Sequence, residues 1–291
     1  VEGVQGAVPE RGSPSVRRRR LGQELRRLRE RAGLTGDQVA ESLKWSASKV
    51  SRIETAKTMP RRADVQALTE LYAVGEDKQR ELVDLQADAA RKGWWEEYQD
   101  ALPEEYTTLL GLEEEATFER NWEPQIVPGL FQTPEYAEEV IRAAQVISRI
   151  PPADIRTRVE ARLARQKLLT RDGPLTVWVV MDESALLRRF GGATVMREQI
   201  ERLIEVSRMP NVRLQILPQE AFHPVNTGSF IHLEFSEFQD VVYLETLLGG
   251  RWVENRNEVF EYQMAFDNLR SEALGPEASR ELMQKIIARW K

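Results

Sequence analysis

Cysteine is absent from the 291 residues, which removes disulfides, thiolate metal sites and a cysteine nucleophile from consideration. Histidine occurs only twice, as His223 and His232. That is too few for a His-rich metal centre, although an Asp/Glu cation site stays open. No apolar run reaches the roughly 18 residues that a membrane-spanning helix needs. The opening stretch VEGVQGAVPERGSPSV is rich in Gly, Pro and Ser and lacks the apolar core of a secretion signal. A cytoplasmic protein with no membrane partner is the expectation. A phosphate-binding glycine loop, a dinucleotide fingerprint and a nucleophile elbow are missing as well. No cofactor, no resident metal and no enzymatic activity are expected.

The chain is 41% hydrophobic and 30% charged, enough for real cores in two domains. Its net charge of −6 is unevenly divided. Residues 1–62 hold 15 Lys and Arg against 7 Asp and Glu, while the rest hold 26 against 40. A basic head on an acidic body is the asymmetry of a chain whose head alone meets nucleic acid. The acidic remainder would be repelled by a polyanion and so help to orient the encounter. A solvated basic face is the plainer alternative, and the motif in the head decides between them.

In VRRRRLGQELRRLRERAGLT, residues Leu21, Leu25 and Leu28 recur at helical spacing, and Gly33 stands just past the end. Thr35 followed by Gln38 has the spacing of a capping box, so a second helix starts there. Val39, Ala40 and Leu43 form its inner face. The short stretch KWS makes a turn, and Ser46 caps a third helix over 47–54. On that helix Val50 and Ile53 point inward. Ala47, Ser48, Ser51 and Arg52 point outward, with Lys49 on the flank. A helix with small polar residues and one arginine outside can enter a major groove closely. The closing helix draws on Val65, Leu68, Leu71 and Tyr72.

The stretch GLTGDQVAESLKWSASKVSRIETAKTMPRRADVQALTELYAV resembles the Xre, or lambda-repressor-like, helix-turn-helix domain. Carried over by position, the resemblance implies that Ala47, Ser48 and Arg52 face base edges. It places Thr35, Gly36, Gln38, Lys49 and Lys57 at phosphates, with Arg61 and Arg62 on the same side. One residue departs from the pattern: Lys44 stands where the turn usually carries glycine. If that backbone is left-handed, lysine costs free energy there. Such heads bind paired half-sites on double-stranded DNA, which implies a homodimer.

Beyond the head, residues 77–100 read as a helical linker, and helices are expected within 133–147, 152–169, 193–207, 254–274 and 276–290. LTVWVVMDE and VRLQILP read as buried strands, and GSFIHLEFSEFQDVVYLETL as a hairpin. ATFERNWEP reads as an edge strand, and the glycines of FGGA and LGG as turns. The fold expected is an all-α head of four to five helices joined to an α+β body around a small mixed sheet. Its domains are a disordered tail at 1–15, the head at 16–76, the linker at 77–100 and the body at 101–291. WEPQIVPGLFQTPEYAEEVIR, MDESALLRRFGG, PNVRLQILP and FHPVNTGSFIHLEF resemble a domain of unknown function that follows Xre-type heads in actinomycete regulators. That domain is sometimes described as antitoxin-like. The resemblance implies a transcriptional regulator, often encoded beside a small partner protein, with no settled ligand. The body is expected to dimerise and to receive a signal, from such a protein partner.

Asp182 and Glu183 follow a strand, and His223 lies in an irregular stretch. Together they could line an effector pocket or do acid–base work, while helix capping and loop shaping are the plainer roles. The tryptophans are core residues by default, but Trp94, Trp95 and the last helix, with Leu282, Ile286 and Trp290, are candidates for a subunit or partner surface. A small-molecule-sensing body and a DNA-tethered enzyme are the alternatives.

Overall fold

The computed structural model describes residues 14–90, 93–147, 150–236, 239–246 and 249–290. The expected disordered tail, 1–15, lies outside these residues apart from Pro14 and Ser15, which open the first helix. The chain divides into two compact units, 1–94 and 95–291.

The first unit is all helical: α1 (Pro14–Arg31), α2 (Gly36–Leu43), α3 (Ala47–Glu54), α4 (Arg62–Leu71) and α5 (Glu76–Ala89). Each helix offers a narrow apolar stripe to one core, built on Leu21, Leu25, Val39, Val50, Ile53, Val65, Leu68 and Leu82. Each such side chain, fully buried, contributes about 1.5–3 kcal/mol. Residues 77–89 are therefore not a linker. Helix α5 packs on α1 and α4, and Leu82 and Val83 are core residues. The periodicity gave the helix correctly, but only its packing tells a core helix from a connector. At Gly22 an added Cβ would stand 2.7 Å from the carbonyl oxygens of both Ile53 and Glu54. Glycine is what lets α1 approach the end of α3.

The described residues of the second unit form six strands: β1 (Phe118–Glu123), β2 (Thr176–Asp182), β3 (Val212–Leu217), β4 (Phe230–Glu234), β5 (Val241–Thr246) and β6 (Gly249–Val253). Their order is β3-β2-β1-β4-β5-β6. The pairs β1–β2 and β2–β3 are parallel, and β1–β4, β4–β5 and β5–β6 are antiparallel. The mixed sheet and the β4–β5 pairing agree with expectation. The placing of β1 does not. ATFERNWEP was expected to add an edge strand, yet its FERNWE segment is central, with β2 on one side and β4 on the other.

Alternation explains how a charged strand can be central. Trp122 joins Val180, Phe230, Val242, Phe266 and Leu269 in an apolar core. This core lies beneath α11 (Arg256–Glu272), which packs on β1 to β5. Glu119, Asn121 and Glu123 share the opposite face, and all three are buried. The unit's other helices include α6 (Glu104–Glu115), which packs on β6, and α7 (Pro134–Ala144), which packs on α8 (Pro152–Arg165) and α10 (Ala193–Val206). Helix α6 was not foreseen. Residues Leu109 to Glu113 along it are all buried, so it shows no one-sided stripe. A short α9 (Glu183–Leu187) follows β2, and α12 (Pro276–Ile287) closes the unit on α10 and β3.

Candidate nucleic-acid interface

Three caps set the geometry of the head. Thr35 Oγ1 accepts the Gln38 N–H (3.2 Å), and Gln38 Oε1 accepts the Thr35 N–H (2.8 Å), closing the expected capping box. Ser46 Oγ accepts the Lys49 N–H at 3.2 Å and starts α3. Between them the turn passes through Lys44 at φ 56° and ψ 41°. This is the left-handed backbone for which glycine is the usual residue, and it costs a side-chain-bearing residue about 1–2 kcal/mol. Helices α3 and α4 also end near left-handed alanines, Ala56 at φ 57° and Ala73 at φ 52°.

Helix α3 is locked from within. Val50 and Ile53 are buried. Glu54 accepts two hydrogen bonds from the Arg29 guanidinium, 2.7 and 2.9 Å, while Arg29 Nη1 donates to the Leu34 carbonyl at 2.8 Å. The hydrogen bond to Glu54 holds the Arg29 guanidinium above its ordinary range, against the opposing effect of burial. With α3 pinned, Ala47, Ser48, Ser51 and Arg52 are all exposed. Ala47 and Ser51 border an open groove of about 340 Å³ with Arg26 and Gly36.

Of the residues expected at phosphates, Thr35, Gln38, Lys57, Arg61 and Arg62 are exposed and Gly36 is half-buried at the start of α2. Lys49 is half-buried and paired within the head. Its ammonium donates to Asp64 Oδ1 at 2.6 Å and lies 3.6 Å from the centre of the Trp45 ring. Asp64 Oδ2 in turn accepts the Arg61 N–H at 2.9 Å. Lys49 therefore ties α3 to the start of α4. Sequence spacing put it on the flank of α3, but only the fold brings an aspartate 15 residues away beside it.

The three body residues suspected of forming a pocket have separate local partners. Asp182 is the N-cap of α9, accepting the Ser184 N–H at 2.8 Å. Glu183 accepts the Gln219 N–H at 3.2 Å. The half-buried His223 sets its ring edge-on to Trp122, with centroids 5.7 Å apart. Of the candidates at the chain's end, Ile286 is buried and Trp290 Nε1 donates to the Leu186 carbonyl at 3.2 Å. Trp95 is buried too.

A helix-turn-helix domain matches residues 20–82, and a domain of unknown function, DUF5753, matches residues 106–285. The chain belongs to the DUF5753 family. No curated protein and no solved structure matches it. The head, spanning α1 to α5, is a helix-turn-helix domain, which suggests a DNA-binding regulator. Among the described residues of this DUF5753 protein, no helix is long and apolar enough to cross a membrane.

Sequence reasoning missed the strongest cluster of charge in the DUF5753 region. Arg165 on α8 is buried and forks onto the buried Glu113 of α6. Asn121 Nδ2 donates to Glu119 Oε1 at 3.0 Å on β1. Burial pushes the Glu113 carboxyl up to about 8 despite the pull of Arg165, and it raises Glu119 as well. Glu123 rises well above the carboxylate range, from burial first and then from nearby Glu245. Burial alone would lower Arg165; the charge of Glu113 overcomes it and keeps the guanidinium ionised. The available signal was the period-two row Glu119, Asn121, Glu123 on a strand whose neighbours are apolar.

Proposed function

We propose that this protein is a sequence-specific transcriptional regulator of the Xre type from an actinomycete, acting in the cytoplasm without enzymatic activity. Helix α3 lies in the major groove, with Ala47, Ser48 and Arg52 toward base edges. Thr35, Gly36, Gln38, Lys57, Arg61 and Arg62 meet phosphates. The observation that carries this reading is the outward face of α3: small, polar and singly basic on a helix held rigidly from behind. The test compares Arg52→Ala with Lys57→Ala on operator and random DNA. Arg52→Ala should cost about 1–3 kcal/mol on the operator alone. Lys57→Ala should weaken both and reduce the salt slope by about one per subunit. Equal profiles for the two variants would overturn the assignment of faces.

Binding of paired half-sites calls for a homodimer. Phe260 and Met264, one turn apart on α11, are 58% and 52% exposed and form the apolar surface we assign to that contact. We read the body as antitoxin-like, taking its signal from a small protein partner. A small-molecule signal is the second reading, favoured by a cavity in the DUF5753 region.

A further inference from the structure

Two arginines of α8, Arg158 and Arg162, line a cavity of about 290 Å³ in the second unit. It opens beside α7 and α8, near the start of α6 and the ends of β5 and β6. This approaches the size of small-molecule sites. Leu102, Val140, Ile141, Ile147 and Ile150 give it an apolar wall. Tyr106, Arg162, Tyr243 and Glu245 line this chamber and also an inner recess of about 20 Å³, which Asn121, Glu123 and Arg165 border as well. The recess has room for about one water-sized group.

The free charge at this cavity is positive. Arg158 and Arg162 stand one turn apart on α8, where side chains are neighbours, and both are half-buried. Each gives one N–H to a neutral acceptor: Arg158 Nε to the Ala101 carbonyl at 2.7 Å, and Arg162 Nη1 to Gln132 Oε1 at 2.8 Å. Among the described residues neither guanidinium forms an ion pair with a carboxylate. Burial lowers Arg158 below its ordinary range; Asp154 opposes this, and the charge of Arg162 adds to it. The two cations therefore disfavour each other where water is scarce. Arg165 already has its counter-ion in Glu113. On the acidic side, burial holds the Glu123 carboxyl well above the carboxylate range, so it carries no charge to offer. Glu245 is exposed, and water screens it. Two guanidiniums against one exposed carboxylate leave a single charge to neutralise, that of a carboxylate rather than of a phosphate dianion. The planar guanidinium also matches a carboxylate in shape.

We propose that this cavity binds a small apolar carboxylic acid as its anion, the carboxylate held by Arg158 and Arg162 and the hydrocarbon part lying against Val140, Ile141, Ile147 and Ile150. The site is distinct from Asp182, Glu183 and His223. The inference rests on the second reading, in which the body takes a small-molecule signal, and it names the chemistry of that signal.

The experiment is calorimetric titration of the full chain, without DNA, with hexanoate, hexanol, hexylamine and acetate. Hexanoate should bind at least tenfold more tightly than hexanol or acetate, and hexylamine more weakly than hexanol. Arg158→Gln and Arg162→Gln should each weaken hexanoate at least tenfold and leave hexanol unchanged. Ala144→Trp, at an exposed position bordering the cavity, should abolish binding of both, so the test survives if an arginine variant does not fold. A smaller advantage of hexanoate over hexanol or acetate overturns the proposal. So does a folded arginine variant, or Ala144→Trp, that keeps full affinity for hexanoate. Operator binding measured with and without saturating hexanoate separates this inference from the reading beneath it. Tight binding of hexanoate with no change in operator affinity would keep the site and remove its role as a signal. Tighter binding of hexanol or hexylamine would remove the carboxylate and leave a small-molecule signal standing.

Discussion

Single residues in this protein are often fixed by a partner that lies far away in sequence. Lys49 is the clearest case. Its pairing with Asp64 and its place over Trp45 make it a brace between α3 and α4. Lys49→Ala is accordingly expected to lower the thermal stability of the head while changing the salt slope of DNA binding less than Lys57→Ala does. A salt slope reduced equally by both would return Lys49 to the phosphates. The left-handed residues lead to a second expectation. Ala56 at φ 57° carries a steric cost that glycine avoids, partly offset by glycine's greater freedom when unfolded. Ala56→Gly should stabilise the head by about 0.5–1 kcal/mol, read from chemical denaturation. Destabilisation would mean that the backbone there is not left-handed in solution.

At the level of elements, what was legible in the sequence followed from one-sided stripes and capping residues. Helices α2 and α3 were readable because Thr35, Gln38 and Ser46 stand at cap spacing and Val39, Val50 and Ile53 keep one face. Helix α6 was not, since its middle turn is buried all round and carries no polar side to reveal the period. Strand β1 was recognised as a strand but misplaced, because its acidic residues are buried beside the Arg165–Glu113 pair, which comes from helices distant in sequence. The same logic left the inner recess invisible: Glu123 looks like a solvated charge until the sheet closes over it. Helix α5 gives this scale its test. A fragment ending at residue 76 lacks Leu82 and Val83 and should be poorly folded. One ending at residue 90 should give a cooperative unfolding transition and an intact helical spectrum. Equal stability of the two would remove α5 from the core. Gly22→Ala should destabilise the longer fragment by about 1–3 kcal/mol, as overpacking does.

For the molecule as a whole, the buried acids imply a dependence of stability on pH opposite to that of a surface carboxylate. The carboxyls of Glu119 and Glu123 ionise at higher pH in the folded protein than in the unfolded chain, where about 4.3 is usual. Between those values the folded state holds protons that the unfolded state releases, so stability falls as pH rises above about 4.3. Denaturation of the body followed from pH 5 to 8 should show this decline, and Glu123→Gln should flatten it. A rising profile would contradict the assignment. The seam of polar groups on β1 also bears on which fold the chain selects. A slip of β1 by one residue against β2 and β4 would turn its two sides over. Trp122 would then confront Arg165, and three polar side chains would enter the aromatic layer beneath α11. Each wrong alignment is thereby made far more costly than the right one. The buried ions act as a key cut for one register, and a chain in which apolar residues replaced both Glu113 and Arg165 could match the native free energy while losing its means of rejecting the alternatives.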